Sequence, residues 1–199
     1  MLKQIIAVIS DNYGTYVNAI TKTRERHAPR LAAQIIIGLI LAFSLSELSE
    51  NSISVVITSL SILAGFSFSA MFPIASDITS NLREPQHSED HDDLKRLSLL
   101  ANSFRANVSY FIPLTLLTIV VFTSQMLDLE FPSEIFLLFK PSDTALAKLI
   151  SAIDLANYIL AKFIIFLSVI LFLEVIYTFY RMCFTVIYML KIREEYRSY

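Results

Sequence analysis

Few side chains in this sequence are placed to do chemistry, and Glu174 is the sharpest of them. It is the only acidic residue in FIIFLSVILFLEVIYTFY, residues 163–180, a run long enough to cross a bilayer. A carboxylate at that depth is costly unless it finds a partner or water, so it marks either a specific contact or a functional position. Arg181 follows seven residues later on the same helical face, but about 10 Å away along the axis, which strains a direct pair unless another helix contributes. Two environments are open. One is a buried, neutral carboxyl hydrogen-bonded by Ser109, Thr115 and Thr118, or by Ser59, Ser61 and Ser67. The other is a polar pathway or oligomer interface, where an ionised carboxylate would favour cations.

The remaining reactive types offer less. His87 and His91 stand four apart in SDITSNLREPQHSEDHDDLKR, a spacing that puts two metal ligands on one helical face. Pro85 and the acidic composition fit a solvated loop or partner-docking surface better. Cys183, the one cysteine, has no internal disulfide partner and reads as packing filler. The sequence has no Gly-rich phosphate loop before a Lys, no HExxH, no paired-cysteine metal site and no nucleophile elbow. The expectation is therefore no enzyme: no catalytic residue, no cofactor and no metal site.

The elements that hold Glu174 follow from composition. Of 199 residues, 55% are hydrophobic and only 17% charged, less charge than a soluble domain of this size carries. The apolar residues gather into four stretches of membrane-spanning length: 31–48, 53–75, 108–127 and 158 to about 180. The first is the shortest, with Ser44, Ser46 and Glu47 near its exit. Basic residues cluster before the first stretch, between the second and third, and after the fourth, whereas the link 49–52 has none. The positive-inside bias then puts both termini and the middle loop in the cytoplasm.

The expected fold is all-α: an integral-membrane four-helix bundle with an N-terminal amphipathic helix and long helical extensions outside the bilayer. Residues 1–30 form a cytoplasmic amphipathic and basic segment. Residues 31–190 carry the spans, with a cytoplasmic loop at 76–107 and a periplasmic segment at 128–157, and 191–199 form the tail. Leu2, Ile5, Ile6 and Ile9 recur at helical spacing, suiting a helix lying on the inner leaflet. Ser133 is a candidate cap for a short apolar interfacial turn over 135–139, and Pro141-Ser142-Asp143 signals the start of the last helix. Neither Gly nor Pro follows Asp143, so that helix can run from the outer surface through the membrane to the cytoplasm.

Three further features bear on assembly. Ser61, Gly65 and Ser69 recur every fourth residue in the second span, a helix-packing face that allows close backbone approach, either within the bundle or between copies. Pro113 is a candidate kink in the third span. Lys22, Arg24, Arg26 and Arg30, in KTRERHAPR, suit phosphate or protein-partner contacts, although lipid headgroups explain the same charges.

The order of segments resembles a known group. A basic amphipathic start, a first span, SLSILAGFSFSAMFP, a charged loop, LLANSFRANVSYFIPLTLLTI and a long last helix closing as FYRMCFTVIYMLKIREEY look like small bacterial inner-membrane proteins of anti-phage defence. Within that group the chain is similar to transmembrane effectors encoded beside a retron reverse transcriptase. The resemblance covers nearly the whole chain through diffuse apolar patterns and transfers no catalytic residue. It implies an effector restrained by the reverse transcriptase and its msDNA, with phage activity releasing it to permeabilise the membrane and homo-oligomerisation on activation. Two other roles stay open: a non-toxic membrane anchor or accessory subunit, and a small ion channel.

Overall fold

The computed structural model describes residues 2–14, 28–45, 48–77, 88–127 and 143–196, and among them the chain is all-helical with no strand. Helices α1 (Leu2–Gly14), α2 (Ala28–Ser44), α3 (Glu50–Asp77), α4 (Ser88–Ser124) and α5 (Asp143–Glu195) follow in order, with a 3₁₀ turn at Gln125–Leu127 prolonging α4. Lys22, Arg24, Arg26, His87, the Ser133 cap and the apolar turn at 135–139 lie outside the described residues.

Among the described residues three helical segments are long and apolar enough to cross a membrane: Glu50–Ala70, His91–Leu127 and Ile150–Glu195. Helix α2, over the first stretch read as a span, is apolar but has only 17 residues. It ends at Ser44, within the stretch read as reaching Leu48, with the Leu45 N–H donating to the Leu41 carbonyl at 2.9 Å. Ser49 then caps α3. Its hydroxyl accepts from the Ser52 N–H at 3.3 Å and its carbonyl from the Ile53 N–H at 3.0 Å, with Glu50 in the first turn where the helix dipole favours an acid.

The centre of the molecule is the α4–α5 pair. On α4, Leu97, Ala101, Phe104, Val108, Phe111, Thr115, Thr118 and Phe122 are all buried, and their spacing alternates four and three, the seam of a left-handed helical pair. Ser168, Val175, Met182 and Met189, each seven residues from the next, are buried on α5. The helices run antiparallel: Tyr196 donates to Asp93 at 3.0 Å, the Phe111 and Phe179 rings are 5.9 Å apart, and Gln125 bonds Ser168. α3 and α1 pack on α4, and α2 packs on α5. Helix α1 buries Asn12 within the fold and leaves Ile6 and Ile9, of its apolar face, exposed. α4 continues through Pro113, which sits on its exposed face.

The exterior is apolar over most of this length. Ile36, Ile40 and Phe43 of α2, Ile62 and Phe66 of α3, and Leu116 and Val120 of α4 are all exposed. A water-soluble monomer avoids continuous apolar surface on this scale.

Candidate functional site: a charged joint between α2 and α5

Four residues of α2 share one face because each lies four positions after the last: Arg30, Gln34, Gly38 and Ala42. Gln34, Gly38 and Ala42 are buried, and the face lies on α5. At its start the Arg30 Nη2 group donates to Glu174 Oε1 at 3.2 Å, and Gln34 Nε2 donates to Glu174 Oε2 at 3.1 Å. Each carboxylate oxygen therefore receives a donor from α2. The Arg30 guanidinium also lies over the Tyr177 ring, its central carbon 3.9 Å from the centroid, a cation–π contact that covers the charge with an aromatic face. Thr178, one turn beyond Glu174, donates its hydroxyl to the Glu174 backbone carbonyl at 2.9 Å.

The pair is withdrawn from solvent, with side-chain exposures of 16% for Arg30 and 8% for Glu174. Removing either partner from a buried pair of this kind strands the other charge, at a cost of about 3–5 kcal/mol. The Gln34 Oε1 atom is buried without a hydrogen-bond donor among the described residues. The amide thus spends its donor on the carboxylate and leaves its acceptor unused.

In the middle of the joint Gly38 lets the backbones approach. A Cβ there would meet Ile170 Cγ1 at 3.1 Å and the Phe166 ring at 3.2 Å. At the far end Lys162 Nζ donates to the Leu45 carbonyl at 2.6 Å, placing a cation where α2 leaves its last carbonyls unsatisfied. The same ammonium is 5.5 Å from the Tyr158 ring centroid. α2 is thus held to α5 by polar contacts at both ends and close packing between them.

The partners of Glu174 differ from those expected. Thr115 and Thr118 are buried, but they donate to the Phe111 and Leu114 carbonyls of their own helix at 2.8 and 2.7 Å. Ser59, Ser61 and Ser109 are exposed, and Ser67 is buried on α3 with its hydroxyl unpartnered among the described residues. Arg30, read as a phosphate or partner contact, is engaged by Glu174. Ser61, Gly65 and Ser69 are exposed, a Cβ at Gly65 would meet nothing within 4 Å, and the Ser61 hydroxyl is taken up by the Ile57 carbonyl at 2.8 Å. That face packs on no described helix. His91 is exposed, and no cluster of three or more His, Cys, Asp or Glu suited to a metal occurs among the described residues.

Gln34, Gly38, Tyr177 and Lys162 complete the joint without having been singled out as its members. A signal existed: Gln34 is the only polar side chain in LAAQIIIGLILAF, residues 31–43, and it lies one turn from Arg30. As chemistry, the cluster is a neutralised ion pair at a helix–helix contact, with no nucleophile beside it. Comparison of the chain with protein-family models, with curated proteins and with solved structures finds no match.

Proposed function

We propose that the chain is a four-span bacterial inner-membrane protein with both termini cytoplasmic. In this reading it perturbs the membrane as the effector of a retron-type anti-phage system and is held inactive by a cytoplasmic reverse transcriptase with its msDNA. The apolar exterior and the three span-length segments favour a lipid setting, and α2 joins them as a fourth, shorter span. The positive-inside distribution gives the orientation.

The observation that carries the reading is the open face of α3. Lipid gives apolar helices little reason to associate, so small residues that admit a neighbouring backbone, with hydroxyls already bonded to their own helix, are the usual means of lateral assembly. Ser61, Gly65 and Ser69 present such a face outward, and Thr58 Oγ1 is likewise bonded to the Ser54 carbonyl at 2.8 Å. A second copy fits that face. Assembly of copies on release from the partner accounts for a change in membrane permeability without any catalytic residue.

Expression of the chain without its partner is expected to collapse membrane potential, and Gly65→Ile is expected to abolish the collapse while leaving membrane abundance unchanged. A retained potential at verified abundance of the unaltered chain rejects the reading. A non-toxic membrane anchor is the second reading. Its support is the run of exposed apolar residues beyond Arg181, namely Phe184, Ile187 and Tyr188, on a part of α5 that this orientation places toward the cytoplasm. Harmless expression, with recruitment of a cytosolic protein lost on truncation after Arg181, distinguishes it.

A further inference from the structure

We infer that α2 is a strap that keeps a polar seam on α5 sealed from water, with the Arg30–Gln34–Glu174 cluster as its clasp. The inference rests on the membrane reading above and adds the place where the fold opens.

Four observations converge on this. α2 packs on α5 and makes no comparable contact with another described helix, so no described helix on its other side holds it in place. Its outward face, with Ile36, Ile40 and Phe43 exposed, is apolar and suited to slide in lipid. Its inward face is the reverse, carrying Arg30 and Gln34 against Glu174. Lastly, the contacts at the two ends of α2 are polar, the clasp at one and the Lys162 bond to the Leu45 carbonyl at the other.

Separation of the two helices in dry hydrocarbon would strand a guanidinium and a carboxylate, so the seam parts only as water enters to solvate them. Closed, the two charges satisfy one another and the seam is dry. Open, it exposes Glu174, Arg30, the unused Gln34 acceptor and the Thr178 hydroxyl along one line of approach to the cytoplasmic side. Among the described residues the hydrogen-bond donors to the Glu174 carboxylate, Arg30 and Gln34, come from α2; Thr178 on its own helix donates to the Glu174 backbone carbonyl, and the hydroxyls of Thr115 and Thr118 on α4 are bound to their own carbonyls. Loss of the Arg30 charge is therefore not made good by another described cation at the carboxylate.

The test uses the full chain with Cys183→Ser and Ile170→Cys, reconstituted in phosphatidylethanolamine–phosphatidylglycerol vesicles. Its two readouts are the reaction of residue 170 with a membrane-impermeant thiol reagent and the leak of a trapped ion. With the clasp intact, residue 170 is part-buried against α2 at Gly38 and reacts slowly. Arg30→Gln and Glu174→Gln are each expected to raise its labelling rate about a hundredfold, the scale set by an unpaired buried charge. The charge exchange Arg30→Glu with Glu174→Arg is expected to bring labelling back toward the slow rate, which a loss of packing alone would not do. Gly38→Leu, which wedges the seam without altering any charge, is expected to open it as well. Labelling that stays slow in Arg30→Gln, Glu174→Gln and Gly38→Leu alike overturns the strap, whether or not the vesicles leak. Fast labelling without leak upholds the strap and removes membrane perturbation as its purpose.

Discussion

The two halves of the α4–α5 seam share one spacing and differ in what fills it. Toward the start of α4 the seam positions are Leu97, Ala101, Phe104 and Val108, with Asn107 buried beside them, facing the part of α5 that carries Met182 and Met189. Toward its end they are Phe111, Thr115, Thr118 and Phe122, facing the part that carries Ser168 and Val175. Large apolar side chains are the natural fill where water surrounds the pair, since transfer out of water drives the association. Where hydrocarbon surrounds it that drive is absent, and small hydroxyl residues that let helices close up serve instead. Their hydroxyls bond carbonyls four residues back, Thr115 at 2.8 Å, Thr118 at 2.7 Å and Ser168 at 2.8 Å, so no polar group is left bare. The change of fill near Val108 thus falls where the four-span reading begins its third span.

That contrast can be broken by substitution. Phe104→Ala should have the largest effect, about 3–5 kcal/mol, because it empties a fully buried position in the half that depends on apolar burial. Hydrogen exchange at the first turns of α4 would register it. In the other half the sign of the effect depends on size. Thr115→Leu overfills a close contact and should cost about 1–3 kcal/mol, whereas Thr115→Val removes only a hydroxyl bonded to its own helix and should cost less than about 1 kcal/mol. Reversible unfolding in detergent compares the two. A Val variant as damaging as the Leu variant would mean that the hydroxyl bonds across the seam. The smallest effect is expected at the water-facing tip, where Tyr196→Phe removes the 3.0 Å bond to Asp93. It should cost about 0.5–1.5 kcal/mol, visible as faster exchange in the last turn of α5 alone.

Much of the helical layout was legible from the residues. The absence of Gly and Pro after Asp143 foretold a helix carried to the tail, and α5 indeed runs Asp143–Glu195. The long helical extensions expected beyond the spans appear in α4 too, which starts at Ser88 and passes through Pro113 unbroken. Composition singled out Glu174 as the residue to explain. Its partner was not legible, because Arg30 lies 144 positions away and local spacing says nothing about which helices become neighbours. The small-residue rule illustrates the same limit. Ser61, Gly65 and Ser69 satisfy it and stay exposed, while Gly38 and Ala42 satisfy it equally and are buried. The difference is made by α5, whose Phe166, Ile170 and Glu174 fit the second face in both shape and charge.

Under the proposed four-span reading, the shortness of α2 sets a thickness. Its 17 residues rise about 26 Å, less than the roughly 30 Å hydrocarbon depth of an average bilayer. Because α2 is fastened to α5 at both ends, it cannot adjust independently of that helix, and mismatch is relieved by local thinning or by tilt of the two together. Under that reading, lipids with longer acyl chains load the fastening directly, and the protein suits thinner patches of bilayer.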